Sequence, residues 1–448
     1  MMTWFYKTVP LASLNLLCLG ACGNNSTEST TANAAPEEPE QVWVEIVQDT
    51  DGNYSLTRNG EPYQIKGAGG PSRYEKLAEE GGNTTRTWGI NQLYPRDDNG
   101  KNLLDRAHEA GIAVVAGIWV QQLRSGFDYT DQASLEKQRE LIRQGVRDFR
   151  DHPAILMWGL GNEIAITTPG DNDAMWKELN VLAEIVKEED PFRPVMTVIA
   201  GAHEGRIKGL LANTPAIDVL GVNAYGGGSN VPERLQRFGW TKPYVLSEYG
   251  PRGHWEVRKT QWGAPIEPSP IDKARLYLDT YQALEENGGG NYLGSFAFLW
   301  GDRQEVTPTW FSMFLSTGEK TPAVDYMSYA WTGEWPEELA PWVEDWTVPF
   351  AEKKVKAGEV FTVEAKVHAD HADTLECEWW VLPEKKGPSV GGDPEKWLTP
   401  IEGVIMASDG PTATVRMPEK PGAYRLYLKL SNGKGGASVQ NTPFYVEE

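Results

Sequence analysis

The sequence predicts a (β/α)8 TIM barrel followed by a smaller antiparallel β-sandwich of immunoglobulin-like type. From residue 63 onward, eight apolar runs alternate with segments of helical period, as in a parallel sheet with crossover helices. Eight strands is the number that closes such a barrel. After about residue 338 the pattern changes to alternating apolar and polar residues between turn signals, which favours a sandwich.

Each predicted barrel strand is an apolar run rich in β-branched or aromatic residues. The first four are "YQIKGAGG" (63–70), "NTTRTWG" (83–89), "IAVVAGIWV" (112–120) and "AILMWGLGNE" (154–163). The second four are "RPVMTVIAG" (193–201), "DVLGVNAYG" (218–226), "KPYVLSEYG" (242–250) and "YLGSFAFLWG" (292–301). Helices are predicted between them over 131–152 and 173–190, each with an aspartate N-cap, then over 272–287 and, as the closing helix, over 321–333.

The N-terminal residues are predicted to direct export. Lys7 precedes an apolar stretch that is too short to span a bilayer, and "LGAC" follows it. This tetrapeptide resembles a bacterial lipobox, so we expect a signal peptide over 1–21 and a lipid on Cys22. Small polar residues over 22–42 predict a disordered tether. The expected location is the bacterial cell envelope, with a lipid anchor in the outer membrane, a barrel over 43–337 and a sandwich over 338–448.

Composition excludes several classes of function. The formal net charge is -21 and the sequence has no basic run, so nucleic acid is not an expected partner. The histidines show no ligand spacing in the barrel, and the glycine-rich stretches lack nucleotide-binding spacing, so neither a metal nor a cofactor is expected. The sequence contains no G-x-S-x-G motif, so it gives no indication of a serine triad.

Two glutamates end predicted strands and form the candidate catalytic pair. Glu163 closes the fourth barrel strand and Glu248 closes the seventh. Reactive groups of a β/α barrel project from the C-terminal ends of its strands, so both carboxylates are expected at one mouth. One protonated and one ionised carboxyl group at a single site are what cleavage of a glycosidic bond requires.

The segments around these glutamates carry a family resemblance. "HPAILMWGLGNE" is similar to the acid/base region of family 2 glycoside hydrolases, and "KPYVLSEYG" resembles their nucleophile strand. Both motifs also resemble those of the larger clan of barrels that have catalytic glutamates after strands four and seven. The resemblance covers about 43–337. It implies that Glu163 is the general acid/base and Glu248 the nucleophile.

Further positions match the clan residue by residue. The resemblance implies that Arg86 hydrogen-bonds the nucleophile and favours its ionised form, and that Asn162 contacts the sugar 2-hydroxyl. It also implies that Tyr225 steadies the nucleophile and that Trp300 forms a platform beneath the reacting sugar. The other predicted substrate-binding residues are Trp88 and Trp119, which equally suit packing at the barrel rim, and Trp255 in the long loop after strand seven.

The sequence departs from family 2 before the barrel. Members usually carry sandwich domains there, whereas this chain has a short strand-like lead, so their substrate habits do not carry over and a related family such as family 5 stays open. The predicted function is a retaining β-glycoside hydrolase acting on a β-linked oligo- or polysaccharide. A β-glucan transglycosylase and a non-catalytic carbohydrate-binding lipoprotein are the alternatives. The C-terminal sandwich is predicted to bind carbohydrate or to act as a spacer.

Overall fold

The computed structural model describes residues 42–168, 170–370, 374–387 and 392–448, all within one compact unit. The signal peptide, Cys22 and the tether through residue 41 lie outside the described residues, so the lipid anchor stays a prediction. Within the described ranges, no helix has the length and apolar character needed to cross a bilayer.

A small antiparallel sheet precedes the barrel and closes its N-terminal end. Its strands are β1 (Val44–Gln48), β2 (Tyr54–Arg58) and β3 (Glu61–Pro62). Val44 and Leu56 are buried in one cluster with Ile65, Met157 and Phe296 from the barrel strands. The hydrophobic effect holds this small sheet against the barrel, because the packing removes apolar surface from water.

The predicted eight-stranded barrel is confirmed. In chain order its strands are β4 (Ile65–Gly69), β5 (Thr84–Arg86), β6 (Ala113–Ile118), β7 (Ile155–Asn162), β8 (Val195–Ala200), β9 (Val219–Asn223), β10 (Tyr244–Tyr249) and β11 (Tyr292–Phe298). Each lies inside one predicted run. All neighbours pair in parallel and β11 pairs with β4, which closes the ring. The strands are almost continuously buried because side chains fill the barrel on one face and helices cover the other.

Helices surround the barrel between the strands. Those described are α1 (Tyr74–Glu79), α2 (Leu103–Glu109), α3 (Gln132–Phe149), α4 (Asp173–Glu189), α5 (Glu204–Asn213), α6 (Val231–Arg237), α7 (Pro270–Asn287) and α8 (Pro322–Thr332). The four predicted helices correspond to α3, α4, α7 and α8. Asp131 caps α3 as predicted, but Asn172 caps α4 instead of Asp173, because its side chain accepts the Met175 N–H.

The predicted C-terminal sandwich is confirmed as two four-stranded sheets, ordered β12-β14-β17-β16 and β13-β19-β18-β15. The strands are β12 (Trp342–Thr347), β13 (Lys354–Lys356), β14 (Val360–His368), β15 (Glu376–Pro383), β16 (Ile405–Asp409), β17 (Thr412–Arg416), β18 (Gly422–Ser431) and β19 (Ala437–Glu447). Arg425 donates to the Pro265 carbonyl at 2.8 Å and Asn441 donates to Glu267 at 2.7 Å, so the sandwich packs directly on the barrel.

Candidate active site

Glu248 lies near the end of β10 at the C-terminal mouth of the barrel, where its carboxylate is 6% exposed. Three side chains donate hydrogen bonds to it. Arg86 Nη1 and Trp88 Nε1 bind Oε1 at 2.8 and 2.9 Å, and the Tyr225 hydroxyl binds Oε2 at 2.9 Å. Three donors, one of which is a guanidinium cation, stabilise a buried carboxylate as the anion and hold it in one orientation.

Arg86, at the end of β5, joins the two glutamate strands. Besides the bond to Glu248, its Nη1 donates to the Ser247 carbonyl at 3.3 Å, and its Nη2 donates to Asn162 Oδ1 at 2.7 Å. Asn162 ends β7 and directly precedes Glu163. One guanidinium therefore fixes the distance between the ends of β7 and β10.

Glu163 is the first residue after β7 and has a left-handed backbone, with φ of 53°. For a residue with a side chain this conformation costs about 1–2 kcal/mol. The Glu163 N–H donates to the Val198 carbonyl at 2.9 Å, and Asn223 Nδ2 donates to Glu163 Oε1 at 2.9 Å. This strained turn directs the carboxyl group into the mouth instead of along the strand.

The surroundings of Glu163 favour its protonated form. Burial is the largest cause and the nearby negative charge of Glu248 the second, and together they raise the pKa of Glu163 to about 7. The hydrogen bond from Asn223 and the charges of Arg86 and Arg206 oppose this rise. Glu163 is therefore suited to donate a proton near neutral pH.

A cavity of about 1020 Å³ contains both carboxylates. This is at the upper end of the roughly 300–1,000 Å³ that small-molecule sites occupy. Trp119 and Trp255 line it with 41% and 51% of their surface exposed, so both rings are available to a ligand. Among the predicted residues, the cavity lining includes Trp88, Trp119, Asn162, Glu163, Tyr225, Glu248 and Trp255.

Trp300 does not reach this cavity, so the prediction that it forms a platform beneath the reacting sugar is wrong. It is 1% exposed and packs against Phe314 and Trp331, while its Nε1 donates to the Arg73 carbonyl at 3.2 Å. The physical reason is that β11 ends at Phe298, two residues earlier than Trp300, and the Trp300 N–H donates to the Gly69 carbonyl of β4 at 2.8 Å. Phe298 and Leu299 line the cavity in its place.

The residues that orient Glu163 from the end of β9 were not predicted. Asn223, at the end of β9, is 4% exposed and donates to Glu163 and, at 3.2 Å, to Asn162 Oδ1. The buried Ser247 hydroxyl lies 2.8 Å from Asn223 Oδ1 and fixes which way the amide points. Both residues end or adjoin the end of a predicted strand, and that position is the signal that would have identified them.

Within the described part of the chain, no three His, Cys, Asp or Glu side chains cluster closely enough to hold a metal ion. The mouth presents carboxyl, guanidinium, amide and aromatic groups. Four arginines line the cavity as well, and they are Arg124, Arg206, Arg234 and Arg303.

Comparison with known proteins finds a match to the family model described as glycosyl hydrolases family 2, TIM barrel domain, over residues 91–254. A β-glucuronidase of Bacteroides fragilis is 28% identical over 172 residues, which are 30% of this chain and 24% of that protein. A β-glucuronidase of Sus scrofa is 25% identical over 220 residues, 46% of this chain and 31% of that protein. The chain thus matches less than a third of the length of either curated relative.

Two solved structures align with parts of this chain. A β-glucuronidase of Bacteroides uniformis aligns with a TM-score of 0.49 and 17% identity, covering 91% of this chain and 48% of that one. The endo-β-1,4-mannanase from Thermotoga petrophila aligns with a TM-score of 0.44 and 16% identity, covering 87% of this chain and 99% of that one. The family match at residues 91–254 includes both glutamates.

Proposed function

We propose that this chain, whose barrel is of the glycosyl hydrolase family 2 type as its two glutamate motifs predicted, is a retaining β-glycoside hydrolase. The observation that carries the proposal is the contrast between its two carboxyl groups. Glu248 accepts hydrogen bonds from Arg86, Trp88 and Tyr225, whereas burial and the charge of Glu248 raise the pKa of Glu163 to about 7. Such a pair supplies a nucleophile and a proton donor at the same pH.

In the first step, a Glu248 oxygen attacks the anomeric carbon of the bound sugar. The bond between that carbon and the glycosidic oxygen breaks, and Glu163 gives its proton to the departing oxygen. Arg86 and Trp88 keep the nucleophile oriented while its charge is lost. The product of this step is a sugar ester of Glu248.

In the second step, the ionised Glu163 removes a proton from water, and the water oxygen attacks the anomeric carbon. The ester bond breaks, Glu248 becomes a carboxylate again and Glu163 regains its proton. Two inversions at one carbon leave the stereochemistry unchanged. If a second sugar replaces water, the same step performs transglycosylation.

The substrate belongs to the β-linked hexosides in this proposal, and β-glucuronides are among the first to test. Both curated relatives carry the name β-glucuronidase. Two of the four cavity arginines, Arg124 and Arg303, pair with carboxylates of the protein, whereas Arg234 forms no ion pair with a described residue. Its guanidinium group can bind a substrate carboxylate. The negative charge of the whole chain opposes anionic substrates at long range, so a locally cationic mouth is needed for them.

The test is a screen of residues 23–448 against aryl β-glycosides of glucose, mannose, galactose and glucuronic acid, together with β-glucan and β-mannan. Proton NMR during turnover reports the anomer released first, and the proposal expects β. Glu163→Gln and Glu248→Gln serve as matched variants. Products lengthened by an added acceptor sugar would favour the transglycosylase, and glycan binding without cleavage would favour the carbohydrate-binding lipoprotein.

A further inference from the structure

We propose that residues 392–395 of the sandwich, here called the sandwich wall, border the substrate cavity and bind a sugar unit next to the reacting one. Gly392, Asp393 and Pro394 line the same cavity as Glu163 and Glu248. The proposal deepens the proposed hydrolase function and rests on it. It makes Asp393 a specificity-determining residue and the sandwich a part of the site.

Asp393 connects two loops at the mouth of the barrel. Its Oδ1 and Oδ2 accept hydrogen bonds from Arg124 Nη2 at 3.1 Å and Nη1 at 3.4 Å, and its carbonyl accepts one from Arg303 Nη2 at 3.3 Å. Arg124 follows β6 and Arg303 follows β11. Since β4 and β5 lie between those strands in the ring, the sandwich wall covers the side of the mouth above β4 and β5.

Glu395 fixes the shape of the loop after β11. Its Oε2 accepts the Val306 N–H at 2.9 Å, and Val306 has a left-handed backbone with φ of 64°. A β-branched residue is a genuine outlier in that region, so the surrounding structure must hold it there. The neighbouring Glu305 also faces the cavity and lies 3.4 Å from Arg303 Nε. Part of the barrel mouth therefore depends on a carboxylate of the sandwich.

The sandwich wall is also connected to the catalytic residues through side chains. The Arg124 Nε donates to Gln122 Oε1, and Gln122 Nε2 donates to the Asn162 carbonyl at 2.8 Å. Gln122 is 3% exposed, so this connection is inside the protein. Asn162 directly precedes Glu163. A sugar bound at the wall is thus next to groups that contact the acid/base segment.

The chemistry of the wall matches the hydroxyl groups of a neutral sugar. Carboxylate and carbonyl oxygens accept hydrogen bonds while guanidinium groups donate them, and a sugar hydroxyl does both. The Asp393 side chain is 53% exposed, so its ion pair with Arg124 stabilises the fold little and its oxygens remain accessible. The cavity also exceeds what one sugar ring requires, which leaves room for a further unit.

The experiment compares KM and kcat on an aryl β-monoglycoside and on β-linked oligosaccharides of the same sugar, using the whole protein with barrel and sandwich together. In Asp393→Ala, we expect KM for the oligosaccharides to rise about 3- to 10-fold, because one or two hydrogen bonds to the sugar are lost. The value of kcat should be nearly unchanged. KM for the monoglycoside should stay as in wild type. Asp393→Asn keeps an acceptor oxygen and should show a smaller rise.

Glu352→Gln is the matched control, because Glu352 pairs with Arg258 between barrel and sandwich, and neither residue lines the cavity. An unchanged oligosaccharide KM in Asp393→Ala, or an equal rise in Glu352→Gln, overturns the inference while the hydrolase proposal stands. If wild type cleaves neither substrate, the proposed function fails first and the inference with it. Thermal melting of each variant separates these outcomes from unfolding.

Discussion

Arg86 and Glu248 form a buried ion pair at the mouth of the barrel, with 2.8 Å between Nη1 and Oε1 and side-chain exposures of 2% and 7%. The second nitrogen of the same guanidinium binds Asn162, beside Glu163. Desolvation makes such a pair a weak source of stability as a whole, but each partner depends strongly on the other. The pair therefore holds the proposed nucleophile in place at a cost that a purely structural site would avoid.

Arg86→Met should destabilise the protein by about 3–5 kcal/mol, because it leaves the Glu248 carboxylate buried beside an apolar side chain. Urea denaturation at pH 7 measures the free energy of unfolding. The double variant with Glu248→Gln should recover a large part of the loss, since no buried charge then remains unpaired. Equal losses in the single and double variants would contradict the ion-pair account.

Glu163→Gln should lower kcat by about 10²–10⁴-fold on a substrate with a poor leaving group, the usual contribution of a general acid. The wild-type rate should fall as pH rises through about 7, because the first step requires protonated Glu163. The variant should lose this alkaline limb. A pH profile of kcat/KM measures it, and an alkaline limb that survives in Glu163→Gln would assign the ionisation to another group.

The same substitution should change how stability depends on pH. The pKa of Glu163 is raised above its ordinary value of 4.5, so the folded state binds a proton that the unfolded state releases earlier. The contribution of Glu163 to the free energy of unfolding is fully present below pH 4.5 and is lost as pH rises through about 7. Glu163→Gln should therefore gain melting temperature relative to wild type between pH 5 and 8. A constant difference across that range would refute this.

Asn223→Ala should raise the pKa of Glu163 further, since the lost hydrogen bond is one of the interactions that lower it. The alkaline limb of the kcat/KM profile should then move to higher pH, while kcat falls because the carboxyl group loses its orientation. Ser247→Ala is the graded control, because the Ser247 hydroxyl that it removes hydrogen-bonds the Asn223 amide oxygen and not Glu163. Its shift should have the same sign and a smaller size. A shift to lower pH in Asn223→Ala would be inconsistent with the structure.

Trp88→Phe should reduce kcat by about tenfold or more, because it removes a hydrogen bond to the charged Glu248 while keeping an aromatic ring. Trp119→Phe is the matched control, since Trp119 lines the same cavity and donates no hydrogen bond to either glutamate within the described residues. Steady-state kinetics on one aryl glycoside compares them. Equal effects on kcat would mean that Trp88 acts through its ring alone.

The positions of Glu163 and Glu248 could be predicted because both end apolar runs and because a closed parallel barrel brings all strand ends to one mouth. The family resemblance predicted that Arg86 and Tyr225 contact the nucleophile, and both contact Glu248. The prediction that Trp300 faces the substrate was wrong, because the sequence does not show that the eighth barrel strand ends at Phe298. A shift of two residues is within the usual error of strand boundaries and was enough to remove the ring from the cavity.

Other features left no local pattern in the sequence. The bond from Trp88 to Glu248 depends on the orientation of one ring, which spacing along the chain does not determine. Asp393 meets Arg124 across 269 positions of sequence, and only the packing of the sandwich on the barrel brings them together. Contacts of this kind arise from tertiary structure and require coordinates to be recognised.

Covalent trapping shows directly whether Glu248 is the nucleophile of a double displacement. The protein is incubated with the dinitrophenyl 2-deoxy-2-fluoro-β-glycoside of the sugar that the screen identifies. The fluorine slows both steps, whereas the good leaving group speeds only the first, so the sugar ester of the nucleophile accumulates. Peptide mass spectrometry should then find one fluorosugar on Glu248 and none in Glu248→Gln. A label on Glu163, or turnover that releases the α-anomer without any label, would contradict the double-displacement account.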